Sequence, residues 1–328
     1  MSSSKFDGLA TAEEVIELFA SRVEGRSFVI TGTGALGIGA YTALALARAA
    51  PAHLVLVSRS AKTTQPVIDD IKAAAPNVPV TFVQCDLSDQ DAVRAAAATI
   101  LQATPIIDVL INNAGIMAIQ DYTTDKRGNE IQLSANHIGH FLLTNLLTPA
   151  LLAAARTRGE ARVVNLTSMG HRISPFRFGD YNFSGGAAYN PWVAYGQSKT
   201  ANILFGAGLT KRLGASGVTS TAVHPGSIWG TGLPVHIDIE KNLKEIEEVA
   251  LRETGREWVW EPPRSKTKSQ GSSTTLVAAL DPDVPARSPA FLSNCQIRDP
   301  YDYALDPENA EKLWELSEEL VGQKFIYG

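Results

Sequence analysis

Between Phe28 and Ala47 the chain changes character twice. Phe28-Val29-Ile30-Thr31 is β-branched and aromatic, Gly32, Gly34, Gly37 and Gly39 interrupt it, and Ala40-Tyr41-Thr42-Ala43-Leu44-Ala45-Leu46-Ala47 is rich in helix formers. A strand, a glycine turn and a helix in that order leave few architectures open. Glycines let a second backbone or a phosphate come close, and free N–H groups at a helix start favour an anion. Gly32-x-Gly34-x-x-Gly37 has the spacing of a dinucleotide-binding turn. The competing reading is a glycine-rich turn that holds no ligand.

Downstream, apolar runs alternate with helical stretches at the interval of a parallel α/β sheet. Strands are predicted at 28–31, 54–58, 80–85, 109–112, 162–167 and 219–224, with 290–292 as a seventh. Thr11 opens a helix with Glu13 and Glu14 in its first turn and Val15, Leu18 and Phe19 on its apolar face. It belongs to an N-terminal helical extension over 1–25. Asp306 caps a C-terminal helix over 306–321. The segment 266–273, rich in serine and glycine, reads as loop.

Composition narrows the partners. A hydrophobic content of 45% suits a large buried core, and a net charge of −5 argues against a nucleic-acid surface. Two cysteines, Cys85 and Cys295, make no disulfide framework. Residues 1–9 lack the apolar core of a secretion signal, and the most apolar stretch, 138–155, is broken by His140, Asn145 and Pro149. It reads as an amphipathic helix and not a membrane span, so the expected address is cytoplasmic. His137, His140, His171, His224 and His236 show no metal-ligand spacing, and no metal is expected.

Tyr195 and Lys199 stand four residues apart, which places both on one helix face. A phenol titrates near ~10, and a cation beside it favours its phenolate at lower pH. Alone, the pair is equally an exposed polar face. It has company in order along the chain: Cys85-Asp86-Leu87, Asn112-Asn113-Ala114-Gly115, Asn136, Thr167-Ser168 and His224-Pro225-Gly226. With the glycine turn, these motifs resemble the short-chain dehydrogenase/reductase family. The runs 134–145 and 198–205 are most similar to its retinol-dehydrogenase and WW-domain-oxidoreductase branch.

The resemblance implies a Rossmann fold: one domain over 1–328 with a doubly wound, mostly parallel, seven-stranded sheet flanked by helices. It implies an oxidoreductase in which Ser168 orients the carbonyl and Tyr195 is the general acid or base. Lys199 would bind the nicotinamide ribose and support the phenolate, and Asn136 would hold, through its amide, a water linking Lys199 to solvent. Gly32, Thr33, Gly34, Leu36, Gly37 and Ile38 would cradle the cofactor's phosphates. Asp86 and Leu87 would flank the adenine, with Asn113, Ala114 and Gly115 beside its ribose. Pro225, Gly226, Ser227, Ile228 and Thr231 would close over the nicotinamide side. The chain departs from the family in two places. Four residues, 33–36, separate Gly32 from Gly37-Ile38-Gly39 where the family has three, and Thr231 sits one place late. Either the turn carries one extra residue or Gly34 replaces Gly32 as the first close-approach glycine.

Where NAD enzymes place a carboxylate on the ribose 2′-hydroxyl, this chain has Ser58-Arg59-Ser60-Ala61-Lys62. A hydroxyl and two cations suit a 2′-phosphate, so NADP(H) is expected in preference to NAD(H). Segments 170–192 and 227–275 are the expected substrate loops. Their aromatics, Phe176, Phe178, Tyr181, Phe183, Tyr189 and Trp229, either line a pocket for a lipophilic or aromatic carbonyl or alcohol, or pack the loops onto the core. The resemblance also implies a homodimer built on helices 135–155 and 193–213. Two further functions fit the same residues: a non-catalytic NADP(H)-binding regulatory or scaffold protein, and a reductase of an activated C=C or C=N bond.

Overall fold

The computed structural model describes residues 5–327; residues 1–4 of the N-terminal extension, and Gly328, lie outside them. Its strands are β1 (Ser27–Thr31), β2 (His53–Ser58), β3 (Val80–Gln84), β4 (Val109–Asn112), β5 (Ala161–Leu166), β6 (Val218–His224), β7 (Ala290–Ser293) and β8 (Gln296–Arg298). They form one sheet in the order β3-β2-β1-β4-β5-β6-β7-β8. All neighbouring pairs are parallel except β7 with β8. The strand order reverses between β1 and β4, so the loops leaving these two strands diverge and open a crevice at their carboxyl ends.

Strand periodicity builds a core on each side of that sheet. Val29, Leu110 and Val163 point to one face, while Phe28, Ile30, Val109, Ile111 and Val164 point to the other. The helices are α1 (Ala12–Phe19), α2 (Ile38–Ala47), α3 (Ala61–Ala74), α4 (Gln90–Ala103), α5 (Ile131–Arg158), α6 (Pro191–Leu213), α7 (Ile239–Thr254), α8 (Lys268–Leu280) and α9 (Pro307–Val321). α4, α5, α6 and α9 cover the first face, and α1, α2, α3 and α8 the second. By length and composition α5 could cross a membrane, but 78% of its most apolar stretch is buried in this core.

The N-terminal helix starts as its sequence suggests. Thr11 and Glu14 form a reciprocal capping box, and Ala12, Val15 and Ile16 turn inward, while Leu18 is left 44% exposed. Two features differ from expectation. β8 adds an eighth strand, reached through a two-residue turn at Asn294 and Cys295, both with positive φ; at three residues it is too short for its sequence to announce. The segment 266–273 is mostly helix, because Thr267 and Gln270 make a second capping box that starts α8. α5 and α6, the helices on which a homodimer is expected, are buried within the chain over most of their length. Trp314 of α9 packs edge-on to Phe141 at 4.9 Å and near-parallel to Phe205 at 6.0 Å, with the Arg212 guanidinium 4.0 Å from its ring. Ser317 bonds the His137 ring at 2.8 Å.

Candidate active site

The glycine turn resolves into two glycines that the fold requires and a loop tip that it does not. Gly32 adopts φ +74°, and a Cβ there would lie 2.7 Å from Ala114 Cα; at Gly39 a Cβ would lie 2.6 Å from the Gly32 carbonyl oxygen. A Cβ on Gly34 would meet only Thr63, at an ordinary 3.4 Å. Gly37 N–H donates to the Gly34 carbonyl at 2.8 Å, closing a tight turn whose tip, Ala35 and Leu36, stands exposed. The extra residue is therefore absorbed at the tip, and Gly32 keeps the close-approach role. Thr33 is fully buried and does not line the cavity, which corrects its place among the cofactor contacts.

Asn113 fastens this turn to the neighbouring strand. Its Nδ2 donates to the Thr31 carbonyl at 2.7 Å and the Gly32 carbonyl at 3.1 Å. The Thr31 hydroxyl accepts from the N–H groups of Asn113 and Ala114 and pairs with His140 Nε2 at 2.8 Å. Burial brings the His140 ring down to about 4, so it is neutral there.

The crevice is a cavity of about 830 Å³. Gly32, Gly34, Leu36, Gly37, Ile38, Ser58, Arg59, Asp86, Leu87, Asn113, Ala114 and Gly115 line its dinucleotide end, with Ser60 and Thr63 added by the structure. Pro225, Gly226, Ser227, Ile228 and Thr231 form a further wall. The Arg59 side chain is exposed and makes no ion pair among the described residues.

Ser168, Tyr195 and Lys199 converge on the same cavity. Ser168 follows β5, and α6 delivers the other two from a start fixed by Asn190, whose Oδ1 accepts from the N–H groups of Trp192 and Val193 at 3.0 Å each. Tyr195 is 4% exposed. Burial pushes its phenol up to about 12, with a hydrogen bond to Ser168 pulling the other way. Lys199 is brought down to about 8 by burial. Its Nζ lies 5.6 Å from the Tyr195 ring centroid and donates to the Leu166 carbonyl at 3.3 Å, so the cation is tied to β5 and the resting phenol stays protonated.

Asn136 lies in a π-helical turn, Ser134–Ile138, and does not line the cavity. Its Oδ1 accepts from Ile116 N–H at 2.8 Å, and its Nδ2 donates to the Ile116 carbonyl and the Ser198 hydroxyl at 2.9 Å each. Both amide hydrogens are thus committed within the protein, which leaves Oδ1 as the amide atom able to accept from a water. A Cβ on Gly115 would lie 3.2 Å from both Asn136 Oδ1 and Lys199 Nζ, so both side chains reach the same face of Gly115.

The substrate wall also differs from expectation. Of the loop aromatics only Trp229 lines the cavity. Phe176, Phe178 and Tyr181 pack into the core with residues of α6 and α9, while Tyr189 meets Phe183 and Tyr122 edge to face behind the pocket. The wall is built instead from Met117, Ile119, Met169, Ile173 and Trp192, with Ile237, Leu243, Ile246, Trp258 and Trp260 from the 227–275 segment. Leu243 and Ile246 come from α7, which sequence reasoning left as loop; the recurrence of 243, 246, 249 and 250 among charged residues was the available signal. The Trp258–Trp260 stretch is anchored through Glu261, which pairs with Arg172 and accepts from the Ser293 hydroxyl at 2.5 Å. Among the described residues no three His, Cys, Asp or Glu side chains cluster as a metal site would need.

Comparison with known proteins agrees with this architecture. Residues 26–239 match the family described as short chain dehydrogenase. Retinol dehydrogenase 12 of Mus musculus is 35% identical over 319 residues, 95% of this chain and 93% of its own length. Oxidoreductase fscI of Fusarium equiseti is 35% identical over 246 residues, 68% of this chain and 95% of its own. The crystal structure of an uncharacterised protein from Mycobacterium paratuberculosis superposes with a TM-score of 0.66 at 32% identity, covering 94% of this chain and 98% of that one.

Proposed function

The chain belongs to the short-chain dehydrogenase family, in its retinol-dehydrogenase-like branch, and on that premise we propose an NADP(H)-dependent oxidoreductase that interconverts a lipophilic or aromatic ketone or aldehyde with its alcohol. The observation that carries the proposal is the buried, protonated Tyr195 held by Ser168, with Lys199 beneath it, at the end of a cavity that also contains the glycine cradle.

The residues suit the cofactor. Only glycine fits at positions 32 and 39, so a backbone surface is kept open beside the start of α2, where an anion is favoured. At the far end Arg59 offers an unpaired guanidinium, and neither Ser58 nor Ser60 supplies the carboxylate that would repel a 2′-phosphate. NADPH bound there supplies a hydride to the carbonyl carbon.

The protein's own task is the carbonyl oxygen. Ser168 and Tyr195 both donate to it, an arrangement worth roughly 3–4 kcal/mol per well-placed donor in the transition state. Tyr195 then passes its proton to that oxygen, and the nearby Lys199 ammonium stabilises the phenolate left behind. Burial keeps the phenol in its protonated form, the form that can donate to a carbonyl oxygen. Among the described residues the substrate end carries no Asp, Glu or Arg side chain, which suits a neutral molecule. Two buried, unpaired cysteines accord with the reducing cytoplasm as the address.

The test is NADPH oxidation across hydrophobic ketones, aldehydes, retinal and quinones, with Tyr195→Phe as control. Turnover that falls by roughly 10²–10⁴-fold in the variant supports the assignment. NADPH binding with no turnover on any member would favour a binding protein instead.

A further inference from the structure

Two indole N–H groups at the substrate end have no acceptor. Nε1 of Trp192 and of Trp258 are both buried without a hydrogen-bond partner among the described residues, and both side chains line the cavity. Buried tryptophans ordinarily find a partner for this group, and leaving a donor unsatisfied costs about 1–3 kcal/mol. The surrounding wall, Met117, Met169, Ile173 and Ile246, is hydrocarbon and thioether, and gives Trp192 nothing to bond.

Trp192 is the better placed of the two. It is 3% exposed and stands three residues before Tyr195 on α6, hence on the same helix face. The rings meet edge to face, with centroids 6.5 Å apart at 84°. The Asn190 cap fixes the helix entry, and Trp192 shares one packed cluster with Ile173, Tyr195 and Ile246. Its ring is therefore held beside that of Tyr195 with its N–H unpaired among the described residues.

Resting on the reductase reading, we propose that Trp192 is a specificity-determining residue and that the preferred substrate is a neutral dicarbonyl compound. One carbonyl oxygen takes Ser168 and Tyr195, and the second accepts from Trp192 Nε1. The chemistry is a single two-electron reduction: hydride goes to the first carbonyl carbon, the Tyr195 proton to its oxygen, NADPH becomes NADP⁺, and the second carbonyl is unchanged. A mono-ketone of the same shape leaves the indole donor buried and unpaired. Sites built around a polar contact discriminate strongly against analogues that lack it.

A matched pair tests this: 2-benzyl-2-methylcyclohexane-1,3-dione, which cannot enolise between its carbonyls, and 2-benzyl-2-methylcyclohexanone. The wild-type enzyme should favour the dione by roughly 10–100-fold in kcat/KM. Trp192→Phe keeps a ring and removes the N–H, and it should collapse that ratio to within about threefold, through loss on the dione. Loss of equal size on both ketones, or no wild-type preference, overturns the proposal. Calorimetric titration of the NADP⁺-loaded protein with the same pair gives a readout that does not need turnover. If neither ketone is reduced, the affinities decide the donor role, while the reductase reading stands or falls on the carbonyl panel above. A tighter dione affinity that Trp192→Phe abolishes would still support the donor role, and equal affinities, or no binding of either ketone, would refute it.

Discussion

Gly170→Ala would move the phenol of Tyr195 without touching its chemistry. A Cβ on Gly170 would lie 2.7 Å from Tyr195 Cε1 and 2.9 Å from Cδ1. Carbon atoms settle at about 3.5–4.0 Å, so one methyl group overlaps the ring by roughly 1 Å. Gly170 is not in the left-handed region, and its N–H bond to the Ser168 hydroxyl at 3.0 Å survives the substitution. The backbone can stay; the ring must move. Overpacking of this kind costs typically ~1–3 kcal/mol of stability, a few degrees in Tm for a chain of this size. A misplacement of about 1 Å at the reacting group costs on the order of 10²-fold in rate. The expected result is kcat for NADPH-dependent reduction down by about 100-fold, with NADPH affinity, read by fluorescence, within about twofold of wild type and a Tm only slightly lowered. A variant that folds, binds NADPH and keeps wild-type kcat would show that the position of this phenol does not control the reaction.

The remaining predictions concern charge. Arg59→Ala should weaken NADPH binding by roughly 10–100-fold and leave NADH binding little changed, as loss of a charge-assisted phosphate contact predicts; equal effects on both would place the 2′-phosphate elsewhere. Lys199, brought down to about 8, is charged below that pH and neutral above it. Since its charge stabilises the phenolate product, kcat/KM for reduction should hold below pH 8 and fall above it, and a profile flat to pH 10 would contradict that role. Glu130 is lifted by burial to about 7 from 4.5, against N–H bonds from Gln132 and Leu133 at 2.9 and 2.8 Å. The folded state thus holds this proton more tightly than the unfolded one. The resulting stability is complete below pH 4.5 and lost as pH rises through about 7, on the order of 3 kcal/mol. Glu130→Gln should therefore gain in Tm relative to wild type between pH 5 and 8; parallel melting curves would refute the assignment.

The sheet was legible from alternating apolar runs, and the convergence of Ser168, Tyr195 and Lys199 on one cavity from motifs taken together in order along the chain. What the sequence left open depended on contacts between distant segments. Whether Gly32 or Gly34 is the indispensable glycine turns on what a Cβ would strike, and the answer, Ala114, lies on another strand's loop. Phe176 and Phe178 could not be told from pocket aromatics, since composition does not reveal which way a loop folds back. α8 was hidden by its own polarity. Ser272 and Ser273 read as turn residues, yet their hydroxyls bond the Lys268 and Gln270 carbonyls of the same helix at 2.9 and 2.8 Å, so they can be buried.

The seating of Trp314 over Phe141 and Phe205 carries a consequence for mass action. A helix pair that supports a catalytic tyrosine needs its outer side covered. Where a second subunit provides that cover, dilution can strip it away. Here the cover is part of the same folded chain, so it is present whatever the bulk concentration. Specific activity should then stay constant as the enzyme is diluted from micromolar to picomolar, because the support of the site is a first-order property of one molecule.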